Sequence, residues 1–250
     1  MTYTKLTFKL QAPKPYLFIG SKVRGALGYA LKEKVCINPS FVCKDCFAQD
    51  RCIFYDMYEK QNISHNYRVD FKLYDKKFKF SILLFNDLQQ QSQTIQDAVI
   101  TSLKEYKVKS KTKVKKLKVK KKFTNTIRLE FQTPLRIKKN NLFALNYKEI
   151  NIYDILLSIH KRDLQLQNKP YKPLKFNQNI ITISKYLKYK ELTRKSNKQK
   201  TFMNLGGLMG HIVLKNVDKK TYKLLKKGEL IGVGKSTVFG LGNYKIMEVK

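Results

Sequence analysis

The sequence is short of negative charge. Asp and Glu number 18 against 52 Lys and Arg, which leaves a formal net charge of +34 on 250 residues. A surface so one-sided repels itself, and a polyanion relieves the repulsion. Nucleic acid fits best, because neutralisation of phosphates by Lys and Arg drives its binding. Long apolar runs are missing too. No stretch approaches the length of a membrane span, and no basic amphipathic helix of the membrane-surface kind is found. The first residues, Met1 to Phe8, alternate like a strand and do not resemble a signal peptide. A cytoplasmic protein without a membrane partner is expected.

Histidine is scarce, with only His65, His160 and His211. Cysteine is confined to one segment, 36–52, as Cys36, Cys43, Cys46 and Cys52. In a cytosolic chain disulfides are disfavoured. Four thiolates so close in sequence suit tetrahedral zinc, with an iron–sulfur cluster as the alternative and four reduced, buried thiols as the plain reading. The spacing C-x6-C-x2-C-x5-C holds a single C-x2-C pair, where most four-cysteine zinc sites use two. A metal here would be structural, folding a loop that has few apolar residues.

What is present is concentrated near the end of the chain. Gly232, Gly234, Gly240 and Gly242 bracket Lys235-Ser236-Thr237. Glycine tolerates positive φ and close approach, and such loops offer backbone N–H groups to anions. The guest expected is a phosphate; the plain alternative is a glycine-rich hairpin. A P-loop is excluded, since one residue instead of four precedes Gly234-Lys235-Ser236, and the residues after it alternate like a strand where a P-loop opens a helix. A dinucleotide fingerprint is excluded because no βαβ unit opens here.

Periodicity orders the rest. Residues 2–11 read as a strand and 20–32 as a helix with Val23, Leu27, Ala30 and Leu31 as its apolar stripe. Gly25 and Gly28 lie within that helix, which suggests close packing by another backbone. After the cysteines, a hairpin is expected around Asp75-Lys76, then a helix over 92–106. A strand follows from Lys107 to Lys122 with one strongly basic face, carrying Lys113, Lys115, Lys118 and Lys120. That face either tracks an RNA backbone or is a solvated edge blunted by lysine. The order repeats: strand 125–133, helix 151–166, strand 179–189, a basic turn 194–200, strand 207–215, a helix capped by Asp218, the glycine loop, and a last strand. Both halves read βαββαβ. The expected fold is α+β, two tandem ferredoxin-like (RRM-like) domains over 1–122 and 123–250, with a cysteine insertion in the first and the glycine loop 232–242 in the second.

In this order five stretches resemble the RAMP superfamily of CRISPR-associated RNA-binding proteins, and within it the endoribonuclease that processes precursor CRISPR RNA. They are Arg24-Gly25-Ala26-Leu27-Gly28, the segment Cys52 to Glu59, Phe131 to Arg136, Gly206 to Gly210, and Gly232 to Gly242. The resemblance implies cleavage within CRISPR repeats without a metal cofactor. The RNA's 2′-OH attacks the adjacent phosphate and leaves a 2′,3′-cyclic phosphate and a 5′-OH. Partners implied are repeat RNA, its precursor transcript and a CRISPR effector complex, with the chain acting as monomer or homodimer. The competing reading is a non-catalytic RAMP subunit that grips CRISPR RNA. Members with a catalytic histidine carry it just after the first helix, where this chain has cysteines. The candidates are therefore His65, then His211, with Lys22 and Arg24 leading a lysine-based site. RNA contacts are assigned to Arg24, to the basic strand, and to Gly232, Gly234, Lys235, Ser236, Gly240 and Gly242.

Overall fold

The computed structural model describes residues 1–119, 123–196 and 201–249, with main chain alone at 194–196, 201 and 202. The elements run β1 (Thr2–Pro13), α1 (Gly20–Val35), β2 (Tyr67–Asp70), β3 (Lys77–Leu84), α2 (Ser92–Ser102) and β4 (Lys109–Lys116). They continue β5 (Ile127–Phe131), β6 (Lys138–Lys139), β7 (Leu142–Phe143), α3 (Ile152–Leu166), β8 (Ile181–Lys190), β9 (Thr193–Ser196), β10 (Thr201–Asn204), β11 (Gly207–Lys215), α4 (Lys219–Ile231) and β12 (Tyr244–Glu248). The chain divides into two compact units. One holds Met1–Asp70 and Asp75–Lys116, the other Phe71–Tyr74 and Leu117–Lys250.

The first unit is a four-stranded antiparallel sheet in the order β2-β3-β1-β4. Strand alternation sends Leu6, Phe8 and Leu10 inward, and Phe8 stacks on Phe80 at 5.1 Å between ring centroids. Helices α1 and α2 pack together. They bury Val23, Leu27, Ala30 and Leu31 from α1 and Ile95, Ala98 and Val99 from α2, the stripes that helical periodicity picks out. Each such side chain removed from water contributes about 1.5–3 kcal/mol. The second unit repeats the arrangement, with sheet order β12-β5-β11-β8. Ile127, Leu129 and Phe131 face Ile155, Leu156 and Ile159 of α3 and Tyr222 and Leu225 of α4. Asn151 and Asp154 form a capping box at the start of α3, and Asp218 accepts from Thr221 N at 2.8 Å at the start of α4. Both units have the ferredoxin-like strand order.

Three local expectations change. The first concerns the α1 glycines. A Cβ on Gly28 would lie 2.6 Å from the Tyr58 ring, whereas one on Gly25 would meet nothing within 4 Å, so an aromatic ring replaces the expected backbone neighbour. The second concerns the expected hairpin arm, whose strand stops at Asp70. Phe71–Tyr74 belong to the second unit, where Leu73 N donates to Gln132 O at 3.1 Å and Asn243 Nδ2 to Phe71 O at 3.1 Å. The third concerns the basic strand, which ends at Lys116. Lys118 follows in irregular chain, and Lys120 lies outside the described residues. The basic turn expected at 194–200 starts on β9 and returns on β10, and its residues 197–200 also lie outside them.

Candidate nucleic-acid interface and catalytic residues

The outward face of the first sheet is a lysine groove. Pairing of β1 with β4 sets Lys5 directly opposite Lys113 and Lys9 opposite Lys109, and pairing with β3 sets Lys9 opposite Lys79. Like charges in such cross-strand positions destabilise a sheet. The groove has a volume of about 370 Å³, and Lys5, Lys9, Lys109, Lys111, Lys113 and Lys115 line it. One carboxylate offsets them, Asp70 at 3.6 Å from Lys5 Nζ. Periodicity singled out Lys113 and Lys115. The β1 lysines were missed because their alternation reads as an ordinary half-buried strand, and only the strand register shows that they share a face with β4.

The glycine loop is held chiefly by its own unit. Gly234 N donates to the Ser158 hydroxyl at 2.8 Å, Lys235 N to Arg136 O at 2.8 Å, Gly242 N to Pro134 O at 2.8 Å and Val233 N to Gly242 O at 3.1 Å. The Thr133 hydroxyl donates to Gly240 O at 2.8 Å and accepts from Asn243 N at 2.9 Å. Most N–H groups expected to cradle an anion are thus engaged within the protein. Gly232, Gly240 and Gly242 are buried, whereas Lys235 is exposed and Ser236 half-exposed in the left-handed region at φ 65°. The exposed part of the loop is that tip, where the Lys235 and Ser236 side chains are open to a guest. Arg136 ties the neighbouring strands in. Its Nη1 donates to Asn204 O at 3.0 Å and Gly206 O at 3.1 Å, its guanidinium lies 4.1 Å from the Phe143 ring centre, and burial lowers its pKa from the usual arginine value.

His65 differs from the other two histidines in which nitrogen holds the proton. His65 Nδ1 lies 2.9 Å from the Asp56 carbonyl. A carbonyl only accepts, so Nδ1 carries the hydrogen and the lone pair sits on Nε2, the arrangement a general base uses. His211 Nδ1 lies 3.1 Å from Arg128 Nη2. A guanidinium only donates, so that lone pair is spent. His160 Nε2 donates to Lys172 O at 2.7 Å and ties α3 to the chain after it.

His65 and Arg24 both lie near one ring. Their ring centroid and guanidinium carbon each lie 6.0 Å from the centre of Tyr67, and Arg24 also stacks on Tyr58 at 4.2 Å. Tyr58 donates to Arg24 O at 2.8 Å, and burial, then the neighbouring Tyr67, hold its phenol well above the ordinary value. It stays protonated and acts as a wedge. Lys22 is not gathered to this place. Two residues from Arg24, it lies some 200° round the helix, against Tyr106 and Tyr16.

Residues 129–244 match the family model described as CRISPR-associated endoribonuclease Cas6, and residues 1–127 match a second model described as an N-terminal domain. The second unit carries a Cas6 domain. Solved structures share its fold. A Cas6 product complex superposes with a TM-score of 0.62 at 11% identity, covering 99% of each chain. A RAMP protein binding different RNA substrates gives 0.59 at 11% identity over 99% of this chain and 100% of its own. A Cas6-related protein of Pyrococcus furiosus gives 0.55 at 12% identity over 100% and 99%. No curated protein sequence matches the chain.

The cysteine segment differs from what its spacing suggests. All four cysteines are half-buried, free of disulfides, and line a common cavity of about 230 Å³ whose wall is mainly apolar. Yet among the described residues no three Cys, His, Asp or Glu side chains come close enough to hold a metal ion. Two of the thiols have other partners: Cys36 donates to Asn38 O at 3.6 Å, and Cys46 accepts from Asn38 Nδ2 at 3.5 Å. The structural zinc suggested by the spacing, and the iron–sulfur alternative, are not supported. No described helix is long and apolar enough to cross a membrane.

Proposed function

We propose that the chain binds CRISPR repeat RNA and cuts the precursor transcript by attack of the RNA's own 2′-OH on the adjacent phosphorus. The bond from phosphorus to the 5′-oxygen breaks, leaving a 2′,3′-cyclic phosphate and a 5′-OH, without a metal ion. The observation that carries this reading is the Cas6 family domain over residues 129–244. His65 Nε2 takes the 2′-OH proton, and the imidazolium so formed can return it to the leaving 5′-oxygen. Arg24, which like His65 lies near the Tyr67 ring, supplies positive charge for the phosphorane. The lysine groove of β1 and β4 and the tip of the glycine loop, Lys235 and Ser236, hold the RNA backbone, which A-form geometry presents in place of a readable major groove.

The deciding experiment incubates the purified protein with repeat RNA in EDTA. Discrete cleavage with a cyclic-phosphate end is expected. Tight binding without cleavage would make the chain a non-catalytic RAMP subunit of an effector complex. A second measurement addresses the groove. Replacing Lys5, Lys9 and Lys113 together with alanine is expected to weaken RNA binding and to flatten the plot of log affinity against log salt by about 0.7–0.9 for each phosphate no longer neutralised. An unchanged slope would show that the groove is only a solvated edge.

A further inference from the structure

We infer that the outward face of the second sheet is a stacking platform for an unpaired RNA base, with Tyr186 as its surface. This rests on the RNA-binding reading above and adds to it a preference for single-stranded RNA at a defined place. Tyr186 sits on β8 directly opposite His211 of β11, both on the face turned away from core residues Leu187, Ile212 and Leu129. More than half of Tyr186, 54%, is open to solvent. An exposed tyrosine alone says little. This one is fixed from several directions.

Its ring lies near-parallel to His211, with centroids 5.9 Å apart and planes 28° apart. Arg128 holds the imidazole in turn, donating to its Nδ1 at 3.1 Å while its Nε donates to Glu130 at 2.7 Å. The acid on this face is thereby neutralised. The main chain also approaches closely: a Cβ on Gly210 would lie 2.0 Å from Tyr186 O, so glycine at 210 lets β11 and β8 come together here. Lys188, two residues along the strand and on the same face, places its ammonium 5.1 Å from the Tyr186 ring centre and hydrogen-bonds it, which raises the lysine pKa. The outcome is a held aromatic surface with cations at its rim. A duplex keeps its bases inside the helix and presents phosphate and ribose. Along a strand it is an unpaired base that offers a π-face to such a surface, with its phosphate available to the cation alongside, whereas a duplex exposes a base face only at its ends.

The chain contains no tryptophan, so Tyr186→Trp places a single tryptophan at the platform, excited apart from the tyrosines at the red edge of its absorption. Its emission is expected to fall on saturation with a short single-stranded RNA of mixed sequence and to stay level with a blunt-ended RNA duplex. Tyr186→Ala is expected to weaken single-strand binding about tenfold, within the range a lost base stack costs. Tyr186→Phe should bind like the parent, and neither variant should change duplex binding. Emission that does not move at single-strand saturation, or a Tyr186→Ala protein that binds single strands like the parent, overturns the platform while leaving RNA binding intact. A parent that binds neither RNA overturns the RNA-binding reading, and the platform with it.

Discussion

Replacing His65 with alanine is expected to slow single-turnover cleavage of repeat RNA by about a hundredfold, in the range of a lost general base, with RNA affinity nearly unchanged. The expectation rests on tautomer and place. The Asp56 carbonyl fixes the hydrogen on Nδ1, which puts the lone pair on Nε2. Arg24 lies near the same tyrosine and can stabilise the charge that builds at phosphorus. His160→Ala should leave the rate unaltered, since its Nε2 hydrogen is committed to Lys172 O on the second unit's α3. Partial rescue of the His65→Ala protein by added imidazole would separate proton transfer from mere loop support. Unchanged cleavage in that variant removes His65 from the mechanism and leaves the chemistry to lysine or arginine.

Local order in the sequence foretold most of the fold. Alternation in β1 and β5 and helical stripes in α1 and α3 arise from burying one face of a regular element, and that requirement is written residue by residue. Convergence is not written that way. Lys5 and Lys9 became groove residues only through their register with Lys113 and Lys109. Tyr186 became a candidate only when strand pairing set it beside His211. The cysteines show the opposite failure. Their spacing implies convergence, but the loop places the thiols around a cavity and gives two of them to Asn38.

The glycine loop changes most in meaning. The resemblance read 131–136, 206–210 and 232–242 as separate family-like stretches, with RNA contacts assigned to the last of them. In the structure they join in one hydrogen-bonded cluster. Leu135 and Leu208 exchange main-chain hydrogen bonds at 2.8 and 2.9 Å, Arg136 O accepts from Lys235 N, and its side chain donates to Gly206 O. The second unit therefore needs these stretches in order to close, and on the function proposed above it is the exposed tip that is offered to RNA.

That division yields a sharp contrast between positions in the same loop. Gly242→Val is expected to destabilise the protein by at least about 3 kcal/mol, on the scale of the most damaging single substitutions, lowering its melting temperature by roughly 6–12 °C. A Cβ there would lie 1.7 Å from Val233 O at φ 67°, a conformation that costs an L side chain about 1–2 kcal/mol before any clash. Relieving the clash would also cost the bonds from Val233 N to Gly242 O and from Gly242 N to Pro134 O, about 1 kcal/mol each. Gly234 is constrained alike, its Cβ 2.3 Å from Arg136 O at φ 78°. Lys235→Ala, one residue on, removes an exposed cation and should leave the melting temperature within about a degree while weakening RNA binding several-fold, as follows when one phosphate goes without its cation. Thermal melts and RNA titrations of the two variants side by side read both halves of the argument. If Gly242→Val melts like the parent, the loop is not the clasp of the second unit. If Lys235→Ala binds RNA unchanged, its tip does not touch the RNA.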